Sequence, residues 1–583
     1  VIQDRPFQEE CEGAVLSEYD KGVRRMLISL ATGTGKTIVF SKLYEKLRSR
    51  LPGQMIVLAH TEELVDQNRA KMLLVNPDIK VDKEMAEHKA DPSTADVIMA
   101  SVATLGRKGT KRVDAYNWER VDKLVIDEAH HSTADSYKRV IDLAIRPEWA
   151  HKLLLGVTAT PQRSDGKALA EIYQKVAYVY SIRQAIEDGW LVDIRGYRVR
   201  TDTDLSEVEK SGGDFVQSQL AAAINNPERN RRIVAAWKKL GEGRSTVAFC
   251  AGIEHAKALA DEFVRNGIEA AAVWGDDPDR TWKLEQHRAG NITVLCNCGV
   301  LVEGYDDWRI GCIILARPTQ SCVLFTQMVG RVTRLQEGLG NLKKWLSTNA
   351  LCMPYASIDG SEYCTPIKQD GIIIDVVDNS VKHSLITLPT LMGLTNGLDL
   401  KGKSLVGAIQ KIEGLQEQYP SLDFKKLEDL DQIKQFIENA NFFEVRFPEE
   451  VEANSDLTWY RSASGGYRLN IPKDKGAGAG GYVRIFQNML DQWEVDGLID
   501  KKRFHGVGNQ MENAFKVCDE QIRKRVPDVL TIISRKATWH GKKATKDQLI
   551  LLKRFYPYKQ MPADLTAGQA SRLIGERIAR KAK

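Results

Sequence analysis

Met26-Leu27-Ile28-Ser29-Leu30-Ala31-Thr32-Gly33-Thr34-Gly35-Lys36-Thr37 runs from an apolar β-type stretch through a glycine-rich turn to a lysine, and a helical pattern follows. That order is the one a phosphate-binding loop needs. The glycines let the backbone curl so that its N–H groups and the N-terminus of the next helix face an anion. Lys36 then reaches the β- and γ-phosphates of a nucleotide, and Thr37 offers its hydroxyl to Mg²⁺. Thr32, Gly33, Thr34 and Gly35 join them as nucleotide contacts. Leu30 stands where the first glycine of the general pattern would be, so the match is to a shorter form of the loop.

Outward from this stretch, apolar runs alternate with helical patterns: Met55 to Ala59, Val97 to Ala100, Leu124 to Ile126 and Leu153 to Val157. Continuous apolar strands separated by helices indicate a parallel sheet covered on both faces. The rhythm returns from Thr246 to about Ala316, so the chain holds two successive α/β domains. Residues 201–230 are polar, contain Ser211-Gly212-Gly213-Asp214, and read as a linker between a domain over 1–200 and another over 231–390. Beyond lies a mixed α+β region. It divides into a helical segment over 391–450, a small β-rich region over 451–500 carrying Trp459, Tyr460, Tyr467, Tyr482 and Trp493, and a basic helical module over 501–583.

At 583 residues the chain exceeds what one hydrophobic core sustains. Hydrophobic residues at 43% and charged residues at 28% are too apolar a mixture for general disorder. No apolar run approaches a membrane span, no signal peptide opens the sequence, and nine scattered cysteines form no disulfide framework. Reduced thiols in a cytoplasm-like compartment are the simplest expectation. Cys352 and Cys364 have no matching second pair for a zinc site. Net charge is only +5, but residues 501–583 carry 20 Lys and Arg against 7 Asp and Glu, which leaves the remainder net acidic. A cationic end on a near-neutral body suits a polyanionic partner.

Leu124-Val125-Ile126-Asp127-Glu128-Ala129-His130 is a buried strand ending in two carboxylates. Asp127 can hold Mg²⁺, and Glu128 can orient and deprotonate an attacking water. His130 reads either as a polar surface group or zinc-type residue, or as a group that senses the γ-phosphate and couples it to motion. His131 reads as exposed. In Gln327-Met328-Val329-Gly330-Arg331-Val332-Thr333-Arg334, two arginines three apart share a helix face and can bring cations to a phosphoryl group in transfer.

With these motifs in this order, residues 4–340 resemble the superfamily 2 helicases of DEAH type, in particular the RadD-like, XPB-like and type III restriction motor group. Arg5-Pro6-Phe7-Gln8 resembles the adenine-contacting motif, with Arg5 and Gln8 as its contacts. Val57 to Gln67 resembles motif Ia and Ala100 to Leu105 a neighbouring strand-contact motif, which implies nucleic-acid contacts at Thr61, Ser101 and Thr104. Thr158-Ala159-Thr160 resembles motif III, where Thr158 and Thr160 would join His130 in coupling hydrolysis to movement. Phe249 to Leu259 resembles motif IV. Gly299 to Asp307, with Glu303-Gly304-Tyr305-Asp306, resembles motif V and implies nucleotide contacts at Gly304 and Asp306. Gln327 to Arg334 resembles motif VI, with Gln327, Arg331 and Arg334 in catalytic positions. The resemblance implies two RecA-like domains with ATP between them, Arg331 and Arg334 reaching across from the second, and nucleic acid running over both.

The Thr-Ala-Thr form of motif III and the Gly-Arg-Val-Thr-Arg ending of motif VI resemble the DNA-directed members, so DNA is the expected track and RNA the alternative. In the tail, Arg523-Lys524-Arg525, Trp539 to Lys543 and Lys553 to Lys559 interleave basic and aromatic groups, as a strand-gripping module would. Arg523, Lys524, Arg525, Lys542, Lys543 and Arg554 are candidate phosphate contacts, and Trp539 and Tyr556 candidate stacking rings. The same rings can equally be core. A metabolic P-loop kinase would need neither the second α/β domain nor motif VI. A binding scaffold with a vestigial ATPase would not keep Lys36, Asp127, Glu128 and Arg334 together. No nuclease constellation is evident.

Overall fold

The computed structural model of the chain describes residues 4–159, 169–211, 214–302, 304–348, 352–356, 362–379, 386–391, 398–418, 430–433, 447–462, 466–472, 480–488, 492–500, 502–557, 559 and 561–581. They fall into two compact units, Val1–Val406 and Gly407–Lys583.

The first unit opens with seven parallel strands: β1 (Arg25–Leu30), β2 (Gln54–Ala59), β3 (Val81–Glu84), β4 (Val97–Ser101), β5 (Val121–Asp127), β6 (Leu153–Thr158) and β7 (Lys175–Tyr180). Their order is β3-β4-β2-β5-β6-β1-β7. β2, β4, β5 and β6 are buried along their whole length, which is why they read as continuous apolar runs and not as alternating ones. β6 lies between β5 and β1. The loops that leave the C-terminal ends of these three strands therefore converge on one edge of the sheet, the usual ligand-binding edge of an open α/β sheet.

The second sheet is also parallel. It contains β8 (Asp193–Asp204), β11 (Thr246–Phe249), β12 (Ala270–Val273), β13 (Val294–Asn297), β14 (Cys312–Leu315) and β17 (Asp370–Asn379) in the order β12-β13-β11-β14-β17-β8. Two small hairpins accompany it, β9 (Lys210–Ser211) with β10 (Asp214–Phe215), and β15 (Cys352–Ala356) with β16 (Glu362–Pro366). The chain thus has two tandem RecA-like α/β domains followed by an antiparallel sheet.

One boundary needs correcting. β8 lies in residues that the sequence assigns to the first domain and the linker, yet it pairs with β17 from Asp193↔Asp370 through Arg200↔Val377. The second domain's sheet starts at Asp193. β8 is an edge strand whose arginines alternate with Ile194, Tyr197 and Val199 on a partly exposed surface, so it carries the polar look of a linker. It is tied in by Asp378, which accepts from Nε and Nη2 of buried Arg229, each at 2.8 Å, and from the Thr201 hydroxyl. The rest of the supposed linker holds the β9–β10 hairpin, helix Gln217–Ile224 and the start of helix Pro227–Leu240, while Gly212 and Gly213 lie outside the described residues.

The second unit carries an antiparallel meander: β18 (Tyr460–Arg461), β19 (Tyr467–Ile471), β20 (Gly481–Gln487), β21 (Trp493–Ile499) and β22 (Lys502–Gly508). Alternation sends Leu469, Val483, Ile485 and Val495 to one face, where Phe515, Cys518 and Ile522 of helix Met511–Arg525 meet them around fully buried Trp459. The Trp459 indole N–H donates to Ser455 and Asp519, both at 3.1 Å. A division at residue 500 would therefore cut a single core in two. Helices Lys546–Phe555 and Ala567–Lys581 close a smaller cluster around Leu552, Tyr556, Leu565 and Leu573. Helix Leu405–Gln418 forms as expected, whereas much of the expected helical stretch beyond it, and residues 473–479 of the β-rich region, lie outside the described residues. No helix among the described residues is long and apolar enough to cross a membrane.

Candidate active site

A cleft of about 830 Å³ opens between the two RecA-like domains, and the phosphate-binding loop forms one wall. Gly33 and Gly35 adopt φ of 85° and 88°, the left-handed region open to glycine at little steric cost. The loop delivers Lys36 as the first residue of helix α2 (Lys36–Leu47), whose start has no side-chain cap, so the positive end of the helix is open to an anion. The Gln8 amide of α1 (Pro6–Asp20) donates to the Thr34 carbonyl at 3.0 Å and braces the loop from outside.

Lys36 Nζ lies 2.5 Å from Glu128 Oε1, so the loop's cation and the second carboxylate neutralise one another. Glu128 holds φ 51°, an uncommon conformation for a residue with a Cβ, at the turn that leaves β5. Asp127 is fully buried. Burial, and then the neighbouring Glu128, push its carboxyl above the usual carboxylate range, with Lys36 opposing. Asn68, on helix α3 (Glu62–Val75), links the two expected metal ligands: its Nδ2 donates to Asp127 at 2.9 Å and its Oδ1 accepts from the Thr37 hydroxyl at 3.0 Å.

His130 Nδ1 stands 3.5 Å from Glu128 Oε2 and 3.5 Å from the Thr158 hydroxyl. The imidazole thus joins the end of β5 to the end of β6. Thr160 and Glu303 lie outside the described residues. His131, read as exposed, instead packs between His60 and Tyr137.

From the second domain, the two arginines of motif VI divide. Arg334 lines the cleft beside Gly33, pairs with Asp306, and has its pKa pulled down to about 10 by burial. Arg331 also lines the cleft, but its guanidinium donates to the carbonyls of Tyr305 at 2.6 Å and Val302 at 3.1 Å, which ties motif VI to the motif V loop. Gln327 is buried in helix Cys322–Val329 and is not among the cleft-lining residues. Gly330 comes so close to Thr32 that a Cβ there would sit 2.6 Å from the threonine side chain, so the end of motif VI rests directly on the phosphate-binding loop. Gly304 lines the cleft, and its carbonyl accepts from Gln67 of α3.

Sequence reading passed over Asn68, Lys71 and Trp190, all of which line the cleft. Asn68 falls one residue beyond the stretch read as motif Ia. Trp190 lies under the Arg5 guanidinium, 5.3 Å from ring centre to carbon, and Phe7 stacks on Tyr180 nearby at 4.1 Å.

The expected nucleic-acid contacts are scattered. The Thr61 side chain accepts from Leu64 N at 3.3 Å and caps α3, and the Thr104 hydroxyl accepts from Ala86 N at 3.1 Å. Ser101 is buried at the end of β4, so its hydroxyl does not face a strand on the surface. Arg523, Lys524 and Arg525 are exposed in the last turn of their helix, where cations also complement the helix dipole. Lys542, Lys543 and Arg554 are exposed. Trp539 is half-buried, with its indole N–H on the Thr531 carbonyl at 3.3 Å. Tyr556 must be withdrawn as a stacking ring: it is 4% exposed in the terminal helical core, with its hydroxyl 3.4 Å from the Leu573 carbonyl.

Family comparison agrees with this geometry. Residues 1–163 match the model described as type III restriction enzyme, res subunit; residues 228–336 match the helicase conserved C-terminal domain; and residues 432–583 match the C-terminal domain of the mitochondrial helicase Irc3. The IRC3 protein of Saccharomyces cerevisiae, named as an ATP-dependent helicase, is 34% identical over 57% of this chain and 49% of its own length. The irc3 protein of Schizosaccharomyces pombe, named as a mitochondrial ATP-dependent helicase, is 29% identical over 98% of this chain and 89% of its own. The DNA 3'-5' translocase XPB2 of Sulfurisphaera tokodaii is 26% identical over 38% and 44%. The chain thus spans about half the length of the first of these relatives. Two tandem RecA-like domains closing on a phosphate-binding loop define a nucleotide-driven motor class. This chain is similar to proteins named as ATP-dependent helicases and to subunits of type I restriction enzymes, and it carries the res-subunit and helicase C-terminal domains in tandem.

Proposed function

We propose that the chain is an ATP-dependent DNA helicase or translocase, coupling hydrolysis to movement on, or unwinding of, DNA. The observation that carries the reading is the convergence of Lys36, Asp127, Glu128 and Arg334 on one cleft between two RecA-like domains. Lys36 binds the β- and γ-phosphates once a nucleotide draws it from Glu128. Glu128, so released, orients the attacking water and takes its proton, and Arg334 places a cation against the transferring phosphoryl group. Thr37 and buried Asp127, bridged by Asn68, present the hard oxygen donors that suit Mg²⁺. Mg²⁺ bound there would neutralise charge developing on the phosphate oxygens. His130 and Thr158 carry the change at Glu128 to the end of β6. Opening and closing of the cleft shifts each domain's grip on the track in turn.

DNA is preferred over RNA on the form of motifs III and VI and on the XPB2 relative, whose name specifies DNA. The fission-yeast relative's name places that protein in mitochondria, and on that ground an organellar location for this chain is preferred to the cytoplasm-like compartment expected from its cysteines. The decisive measurement is ATP turnover against single-stranded DNA, duplex DNA, forked DNA and RNA. Stimulation by DNA but not RNA is expected; stimulation by RNA alone would overturn the DNA reading.

A further inference from the structure

The cations of the cleft are not equally available. Lys36 is held by Glu128, Arg334 by Asp306, and Arg331 by two backbone carbonyls. Lys71 lines the same cleft, and among the described residues its ammonium has no hydrogen-bond or ion-pair partner. It sits on α3 three residues after Asn68 and four after Gln67, spacings that put all three side chains on one helix face. That face looks at the Thr37–Asn68–Asp127 chain. The charged neighbours of Lys71 are Arg334, Asp127 and Lys36, and burial, more than these, lowers its pKa.

Lys71 is only partly buried, so its ammonium faces the cleft with water that an arriving anion can replace. The arrangement is one that an incoming polyphosphate would complete. We propose that Lys71 is a direct ligand of the terminal phosphate of the nucleoside triphosphate, a third cation that discriminates triphosphate from diphosphate. It needs no release from a carboxylate, so it meets the triphosphate while Lys36 and Arg334 are still paired. This inference rests on the reading of the cleft as the ATP site.

The test measures binding of ADP and of a non-hydrolysable ATP analogue to the full chain by equilibrium fluorescence, for wild type, Lys71→Met and Lys71→Arg. Methionine keeps the apolar stem and removes the charge, and thermal melting checks that each variant folds. Lys71→Met should weaken the triphosphate analogue by roughly tenfold to a hundredfold, the range for a hydrogen bond to a charged group, and change ADP by less than about threefold. Lys71→Arg should recover most of the loss. An equal loss for both nucleotides, or no loss for either, overturns the assignment of Lys71 while leaving the cleft an ATP site. Wild type that binds neither nucleotide would overturn the ATP-site reading itself.

Discussion

Glu128 is the counter-ion of Lys36 in this structure, and the proposed reaction also makes it the water-orienting base. Replacing it with glutamine removes both. Glu128→Gln is therefore expected to bind ATP at least as tightly as wild type, because Lys36 no longer has a carboxylate to leave, and to lose hydrolysis. Lys36→Ala should abolish turnover. Filter or fluorescence binding alongside phosphate release checks both; a Glu128→Gln variant that fails to bind ATP would break this division of labour. The arginines separate similarly. Arg334→Ala should cut nucleic-acid-stimulated turnover by roughly the 10³ to 10⁵ fold of an arginine finger. Arg331→Ala should instead leave the Val302 and Tyr305 carbonyls without their donor, costing about 1 to 3 kcal/mol of unfolding free energy in a denaturation titration. Contiguous chemistry such as Gly33 to Thr37 or Asp127-Glu128 was legible in the sequence because neighbours in the chain remain neighbours in the site. Asn68, Lys71 and Trp190 were not. Each is a single side chain on a helix or turn that acquires meaning only when folding brings another strand's end to it.

Helix Ile253–Arg265 illustrates what an element's burial costs. His255 is 1% exposed within it, accepts from Ala251 N at 3.4 Å, and has its pKa lowered to about 3 by burial and then by Arg229. Its folded pKa lies below the unfolded value, so the stability from keeping the ring neutral is present above about pH 6.5 and is lost as pH falls toward about 3. Wild type should lose about 1.4 kcal/mol per pH unit more than His255→Leu in that window, measured by denaturant unfolding. Parallel slopes would show that the ring is not held neutral. Among strands, legibility followed burial. β2, β4, β5 and β6 announced themselves as continuous apolar runs, while edge strands β8 and β22 did not, because both interleave arginine or lysine with their apolar residues. The basic and aromatic interleaving near residue 555 was likewise ambiguous: composition does not say which side of a helix a ring will take, and Tyr556 took the core.

At the scale of the whole molecule, the cationic end is part of a fold and not an appendage. Removing residues 501–583 would strip β22 and helix Met511–Arg525 from the core around Trp459 and unfold the sheet, so truncation cannot report on DNA binding. Charge-removing substitutions can. If Arg523, Lys524, Arg525, Lys542, Lys543 and Arg554 grip backbone phosphates, changing them to glutamine should weaken DNA binding and leave basal ATPase intact. The slope of log affinity against log salt should also fall by about 0.9 for each phosphate no longer neutralised on duplex, or about 0.7 on a single strand. An unchanged salt slope would leave the RecA-like pair to hold the track alone.

The pairing of β8 with β17 has a bearing on how the protein is made. Thr201 and Asp378, which join these strands, are 177 residues apart in the chain, and every other strand of the second sheet is synthesised between them. On the ribosome, β8 emerges long before its partner exists and must wait as an unpaired strand, a state that invites pairing with other chains. The arginines that disguised it as a linker would then serve as its protection during that interval, and replacing Arg195, Arg198 and Arg200 with threonine should lower the yield of soluble protein more than it lowers the stability of the finished fold.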